Sequence, residues 1–149
     1  KTGVTSVATK EVPKPNGVAI SPDGKTVYVV CHDNGSVGLV DKPAGPKGKM
    51  SLEAFGIAKD GSLTQRRTLV DFGDEDGIDG MAVDAIGRIF AAVRSEKRFG
   101  IAVFDAMGKE LTFLKTLKMP SNCCFGAGRD SSTLYITAGG ELYSVIVKP

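Results

Sequence analysis

The chain has 149 residues, 42% of them hydrophobic, with 19 basic and 17 acidic residues, a single histidine and a formal charge of +2. That length fits one domain with a packed core, and charges of both signs spread along it exclude the basic stripe or acidic tail of a nucleic-acid or membrane-surface binder. No apolar run approaches the ~18 residues of a membrane-crossing helix.

Residues 4–12 read as a lone outer strand. Asn16-Gly17-Val18-Ala19-Ile20, the turn Ser21-Pro22-Asp23-Gly24-Lys25 and the β-branched run 26–30 predict a hairpin, because Pro presets φ and Gly turns the chain. A third strand is expected at 37–40, then a Gly/Pro/Lys loop with an insertion at 44–53, then a fourth strand at 67–71 entered through Asp60-Gly61. After the acidic loop Gly73-Asp74-Glu75-Asp76-Gly77, the pattern recurs. Asp79-Gly80-Met81-Ala82-Val83 leads through Asp84-Ala85-Ile86-Gly87 into 88–93, with later strands at 100–104 and 111–117 on either side of Met107-Gly108. The third copy runs Asn122-Cys123-Cys124-Phe125-Gly126, a turn at 128–132, then strands at 133–137 and 141–147.

Four antiparallel strands repeated in this way make the blade of a β-propeller, an all-β fold. The insertion at 44–53 explains why the first interval is longer, and brings the period near the ~40–50 residues of such repeats. The predicted blades cover about 13–71, 78–117 and 120–147, with 4–12 as the outer strand of a neighbouring blade. Three blades are half of a six-bladed ring. Closure is expected from an N-terminal half or from a second copy; the start at Lys1, without an initiator Met or an apolar signal core, favours a piece of a longer protein and leaves localisation open.

Antiparallel pairing places the start of each first strand beside the end of the second. Asn16 should therefore neighbour Cys31, His32 and Asp33; Asp79 should neighbour Arg94 and Ser95; Asn122 should neighbour Thr137 and Ala138. All would meet at one concave mouth. Asn and Asp oxygens suit a hard divalent cation, although the same side chains also cap turns. His32 is either a proton carrier, a substrate contact or a solvated loop residue, and the acidic loop either a second cation contact or a hydrated turn. Three cysteines, two of them adjacent on one strand and facing opposite ways, make no disulfide framework, and CxxC zinc spacing is absent. There is no GxSxG nucleophile elbow.

The segments 15–24, 79–87 and 122–126 resemble successive motifs of the gluconolactonase and senescence-marker-protein (regucalcin) family of six-bladed propellers, over its C-terminal half. The resemblance implies one divalent metal at the channel mouth, Ca²⁺ first with Mg²⁺ or Zn²⁺ as alternatives, held by an early-blade Glu, an Asn and an Asp. Asn16 and Asp79 match that Asn and Asp. By the same resemblance Asp79 is also the general base of a sugar-lactone hydrolase; His32, Arg94 and Asn122, at the same predicted rim, are the candidate substrate contacts. Two departures stand out: Ile78 occupies a position where the family commonly has Pro, and the Glu ligand and early-blade substrate residues have no counterpart here. The expected partner is a small-molecule lactone, not nucleic acid or a membrane. The competing expectation is a noncatalytic propeller that binds a ligand or protein at the same mouth.

Overall fold

The computed structural model describes residues 3–35 and 45–148. In these residues the chain forms eleven strands in three antiparallel sheets. The first holds β1 (Pro15–Ile20), β2 (Thr26–His32), β3 (Met50–Ile57) and β4 (Leu63–Asp71), in that spatial order. The second holds β5 (Ile78–Val83), β6 (Ile89–Val93), β7 (Gly100–Phe104) and β8 (Glu110–Lys115). The third holds β9 (Pro120–Phe125), β10 (Thr133–Ala138) and β11 (Glu141–Ile146), with a 3₁₀ turn at Gly128–Asp130. Each sheet is a blade, and the first strands β1, β5 and β9 lie side by side.

The tight turns form because an Asp carboxylate stands in for a backbone acceptor. Asp84 Oδ1 accepts the N–H groups of Ile86 and Arg88 at 3.1 and 2.8 Å. Asp105 does the same for Met107 and Lys109 at 2.9 Å each, and Asp23 for Lys25 at 3.1 Å. In every case a glycine completes the reversal.

Alternation along the strands then decides which blade each side chain meets. Tyr28, Val30, Leu52 and Ala54 of the first sheet pack on Ile78, Met81, Ile89 and Ala91 of the second. The opposite face of the second sheet puts Phe90, Ala92, Ile101 and Val103 against Cys123, Leu134 and Ile136 of the third. Phe90 and Phe125 meet edge to face at 5.0 Å, which favours this stacking beyond the burial itself. On the far side of the first sheet, Val12 covers Val27, Val29, Cys31 and Phe55.

Most predicted strands lie where the pattern placed them. The strand expected at 37–40 falls outside the described residues. The third strand of the first blade is β3, whose opening residues fall within the insertion expected at 44–53. Ser51 and Glu53 gave that stretch a loop-like polarity, yet both are buried. Glu53 is fully enclosed and is matched by Arg66 at 3.0 Å, Lys49 at 2.9 Å, Ser51 at 2.7 Å and Thr68 at 3.0 Å. Burial pushes its carboxyl up, but the hydrogen bonds from Arg66, Ser51, Lys49 and Thr68 outweigh that and hold it at about 2. Residues 4–12 pair with no strand among the described residues: Val4 and Val7 are exposed, and only Val12 is buried.

Candidate functional site

The inner strands share one irregularity. Pro15 pairs with Cys31 and Val18 with Val29, so two residues, Asn16 and Gly17, stand opposite one. In β5, Ile78 pairs with Val93 and Met81 with Ala91, which bulges Asp79 and Gly80 in the same way. In β9, Pro120 pairs with Ala138, Asn122 with Thr137 and Cys123 with Ile136, so Ser121 is the extra residue and shares the place opposite Thr137 with Asn122. Bulges of this kind re-aim side chains at the rims of sheets. The ladder thus aligns Asn16, Asp79 and Ser121, and places Asn122 level with Gly17 and Gly80. The repeat expected from Asn122 is displaced by one residue, and Ser121 is the residue that alignment missed. Pro120, level with Pro15, was the signal that could have found it.

The three triplets Asn16-Gly17-Val18, Asp79-Gly80-Met81 and Ser121-Asn122-Cys123 line one open cleft of about 380 Å³. The two glycines allow the blades to converge there. A Cβ on Gly17 would lie 2.4 Å from the Asp79 carbonyl oxygen, and one on Gly80 would lie 2.2 Å from Asn122 Oδ1. Real Cβ atoms do not approach so closely, so no larger residue fits without moving the next blade.

Among the described residues Asp79 is the one carboxylate lining the cleft, and its side chain is 16% exposed. Arg94 donates through Nη1 to Asp79 Oδ2 at 2.5 Å, joining the two residues that antiparallel pairing predicted to be neighbours. Asn16 is exposed at the cleft wall, and the Asn122 carboxamide accepts from the N–H of Cys123 at 2.9 Å. Ser121 shares a 2.9 Å hydrogen bond with Thr137 Oγ1. His32 lies off the cleft lining, with Nδ1 2.9 Å from the carbonyl oxygen of Ile78. A carbonyl can only accept, so Nδ1 is the donor in this contact. His32 thereby ties the end of β2 to the start of β5.

The acidic loop is already engaged with cations of the chain. Asp76 pairs with Lys47 at 2.8 Å, and Lys47 holds its carboxyl below the usual range. Glu75 accepts from Lys97 and Ser95, which likewise lower its pKa. All three cysteines are free: Cys31 and Cys123 are buried and Cys124 is exposed, as alternation along β9 requires. Burial pushes the Cys123 thiol up to about 12, and the side chain packs as a small hydrophobe against the Phe90 carbonyl. Among the described residues, no three His, Cys, Asp or Glu side chains come together as a metal cluster.

Comparisons with known proteins agree with this architecture. Residues 1–140 match the family described as the SMP-30/Gluconolactonase/LRE-like region. A gluconolactonase of Zymomonas mobilis is 31% identical over 139 residues, 91% of this chain and 35% of its own length. The solved structure of a gluconolactonase of Xanthomonas campestris superposes with a TM-score of 0.67 at 30% identity, over 90% of this chain and 38% of that one. A regucalcin of Agrobacterium tumefaciens, described as a calcium-binding protein, superposes at 0.69 over 91% of this chain and 41% of that one; at 23% identity this is a likeness of fold. The chain spans about a third of the length of the curated relatives it matches. The three stacked blades are those of a propeller, and the chain belongs to the SMP-30/gluconolactonase family.

Proposed function

We propose that the complete protein is a metal-dependent hydrolase of sugar lactones, with Asp79 as ligand and general base and Asn16 as second ligand. The observation that carries this reading is the convergence of Asn16 and Asp79, from adjacent inner strands, on one open cleft. Both offer hard oxygen donors, which fit Ca²⁺ or Mg²⁺ better than a thiophilic ion. Two donors are a partial set, so the remaining positions would be filled by water and by residues outside this chain. When bound, a divalent cation would polarise the lactone carbonyl and stabilise the developing oxyanion.

The work of the chain itself is positional and protonic. The Asp79 carboxylate accepts the proton of the attacking water as its oxygen adds to the carbonyl carbon, and returns it to the ring oxygen as the C–O bond breaks. The product is the open hydroxy acid. Asn16 orients through its carboxamide oxygen. Asn122 and Ser121, which line the same cleft, would contact sugar hydroxyls, with Arg94 beside Asp79 as a further contact; His32, off this lining, would act through β5, to which it is bonded. Agreement with the gluconolactonase relatives supports the reaction class.

A second reading, a noncatalytic propeller that binds a small ligand or protein at the same mouth, draws support from the Asp79–Arg94 pair, because the carboxylate oxygen is already occupied by a guanidinium instead of standing free for water. Gluconolactone opening by the complete protein separates the two. Asp79→Ala should reduce it by at least ~10³-fold with the fold intact, and chelation of divalent ions should abolish it reversibly. Turnover retained in Asp79→Ala would remove Asp79 from the mechanism.

A further inference from the structure

We propose that Arg94 is a built-in stand-in for the cation at Asp79, neutralising the carboxylate in the metal-free protein and setting metal affinity because it must yield when the ion binds. This rests on the reading above that Asp79 is a ligand. The geometry supplies the reason. Asp79 is mostly withdrawn from solvent, and a carboxylate in that setting is costly without a counter-charge. The Arg94 backbone is fixed just past the end of β6, where its N–H donates to the Gly77 carbonyl at 3.0 Å, so the guanidinium starts one residue beyond the Ile78–Val93 pair that borders the bulge carrying Asp79.

Arg98 and Arg88 are held differently. Arg98 grips Glu110 with both terminal nitrogens, at 2.8 and 2.7 Å, and lies over the Phe113 ring at 4.5 Å. Arg88 bonds Asp84 at 2.6 Å, reaches the Lys148 carbonyl at 3.2 Å and lies over Phe90. The Arg94 guanidinium has Asp79 as its one hydrogen-bonding partner among the described residues, through a single nitrogen, and the side chain is 38% exposed. Two-point attachment and ring stacking fix a guanidinium, whereas one contact at a solvent boundary lets it swing aside. The Asp79–Arg94 pair is therefore built to exchange one cation for another, while the pairs of Arg88 and Arg98 are built to persist.

The displaced guanidinium stays tethered beside the ion and repels it. A unit charge about 5 Å from a dication, even at a water-like dielectric, weakens binding about tenfold. Calorimetric titration of the complete protein with Ca²⁺ tests this. Arg94→Met, which keeps the apolar stem, should bind about tenfold more tightly than wild type; Arg94→Lys should stay within about threefold; Asp79→Asn should lose saturable binding. The metal-free Arg94→Met protein should also melt below metal-free wild type, a gap that saturating Ca²⁺ closes. Should the Met variant fail to fold, Arg94→Gln carries the same expectation. Unchanged or weaker affinity in the charge-removing variant, with binding still lost in Asp79→Asn, overturns the role of Arg94 alone. Binding that survives Asp79→Asn, or is absent from every variant, overturns the ligand reading as well.

Discussion

The second and third blades carry the same hairpin yet differ in what covers them. Every residue of β6 and β7 is buried, because the first blade lies on one face and the third on the other. In β10 and β11 burial alternates: Leu134 and Ile136 face the second blade, whereas Leu142 and Ile146 are 69% and 72% exposed. Local pattern makes the hairpin in both cases. Neighbours alone decide whether its second face becomes core, which is the nearest-neighbour logic of repeated folds.

Substitutions can break or sharpen that contrast. Phe90→Ala, deep in the junction of second and third blades, should cost about 3–5 kcal/mol, read as a fall in the urea midpoint at constant slope. Acid should act next, on the flank of the first blade. The Glu53 carboxyl sits at about 2 in the folded protein against about 4.3 for an unfolded Glu, so its stabilisation is complete above about pH 5 and is lost as pH falls toward 2. That loss amounts to about 3 kcal/mol, and Glu53→Gln should flatten this part of the stability profile between pH 5 and 2. Gly80→Ala should cost about 1–3 kcal/mol, because its Cβ must push Asn122 away. Ile146→Ala in the 149-residue chain should stay within about 0.5 kcal/mol by thermal melting. A cost above about 2 kcal/mol at that site would mean that the open face of the third blade is covered in solution.

The hairpins were readable because Asp-containing turns with glycine are local chemistry: Asp84 and Asp105 bind their own backbone within four residues. The Asp79–Arg94 neighbourhood was readable too, since antiparallel pairing follows from the turn. β3 was not, because Glu53 looks like a loop residue until Arg66 and Thr68, from another strand, arrive to satisfy it. His32 ends on a backbone carbonyl, an acceptor that every residue has and no sequence pattern marks. The displaced third repeat has a similar cause: a bulge offers two consecutive residues for one partner, and Asn122 resembled Asn16 more than Ser121 did.

The two-for-one bulge leaves each blade with two adjacent positions at the axis, and they are not equally free to change. In the first two blades the second position is locked, since any side chain on Gly17 or Gly80 would strike the next blade. In the third blade that position already carries Asn122. Variation that retunes the mouth for a different ligand therefore has its widest latitude on this blade, where two polar groups can be exchanged in turn without pushing the inner strands of the first two blades apart.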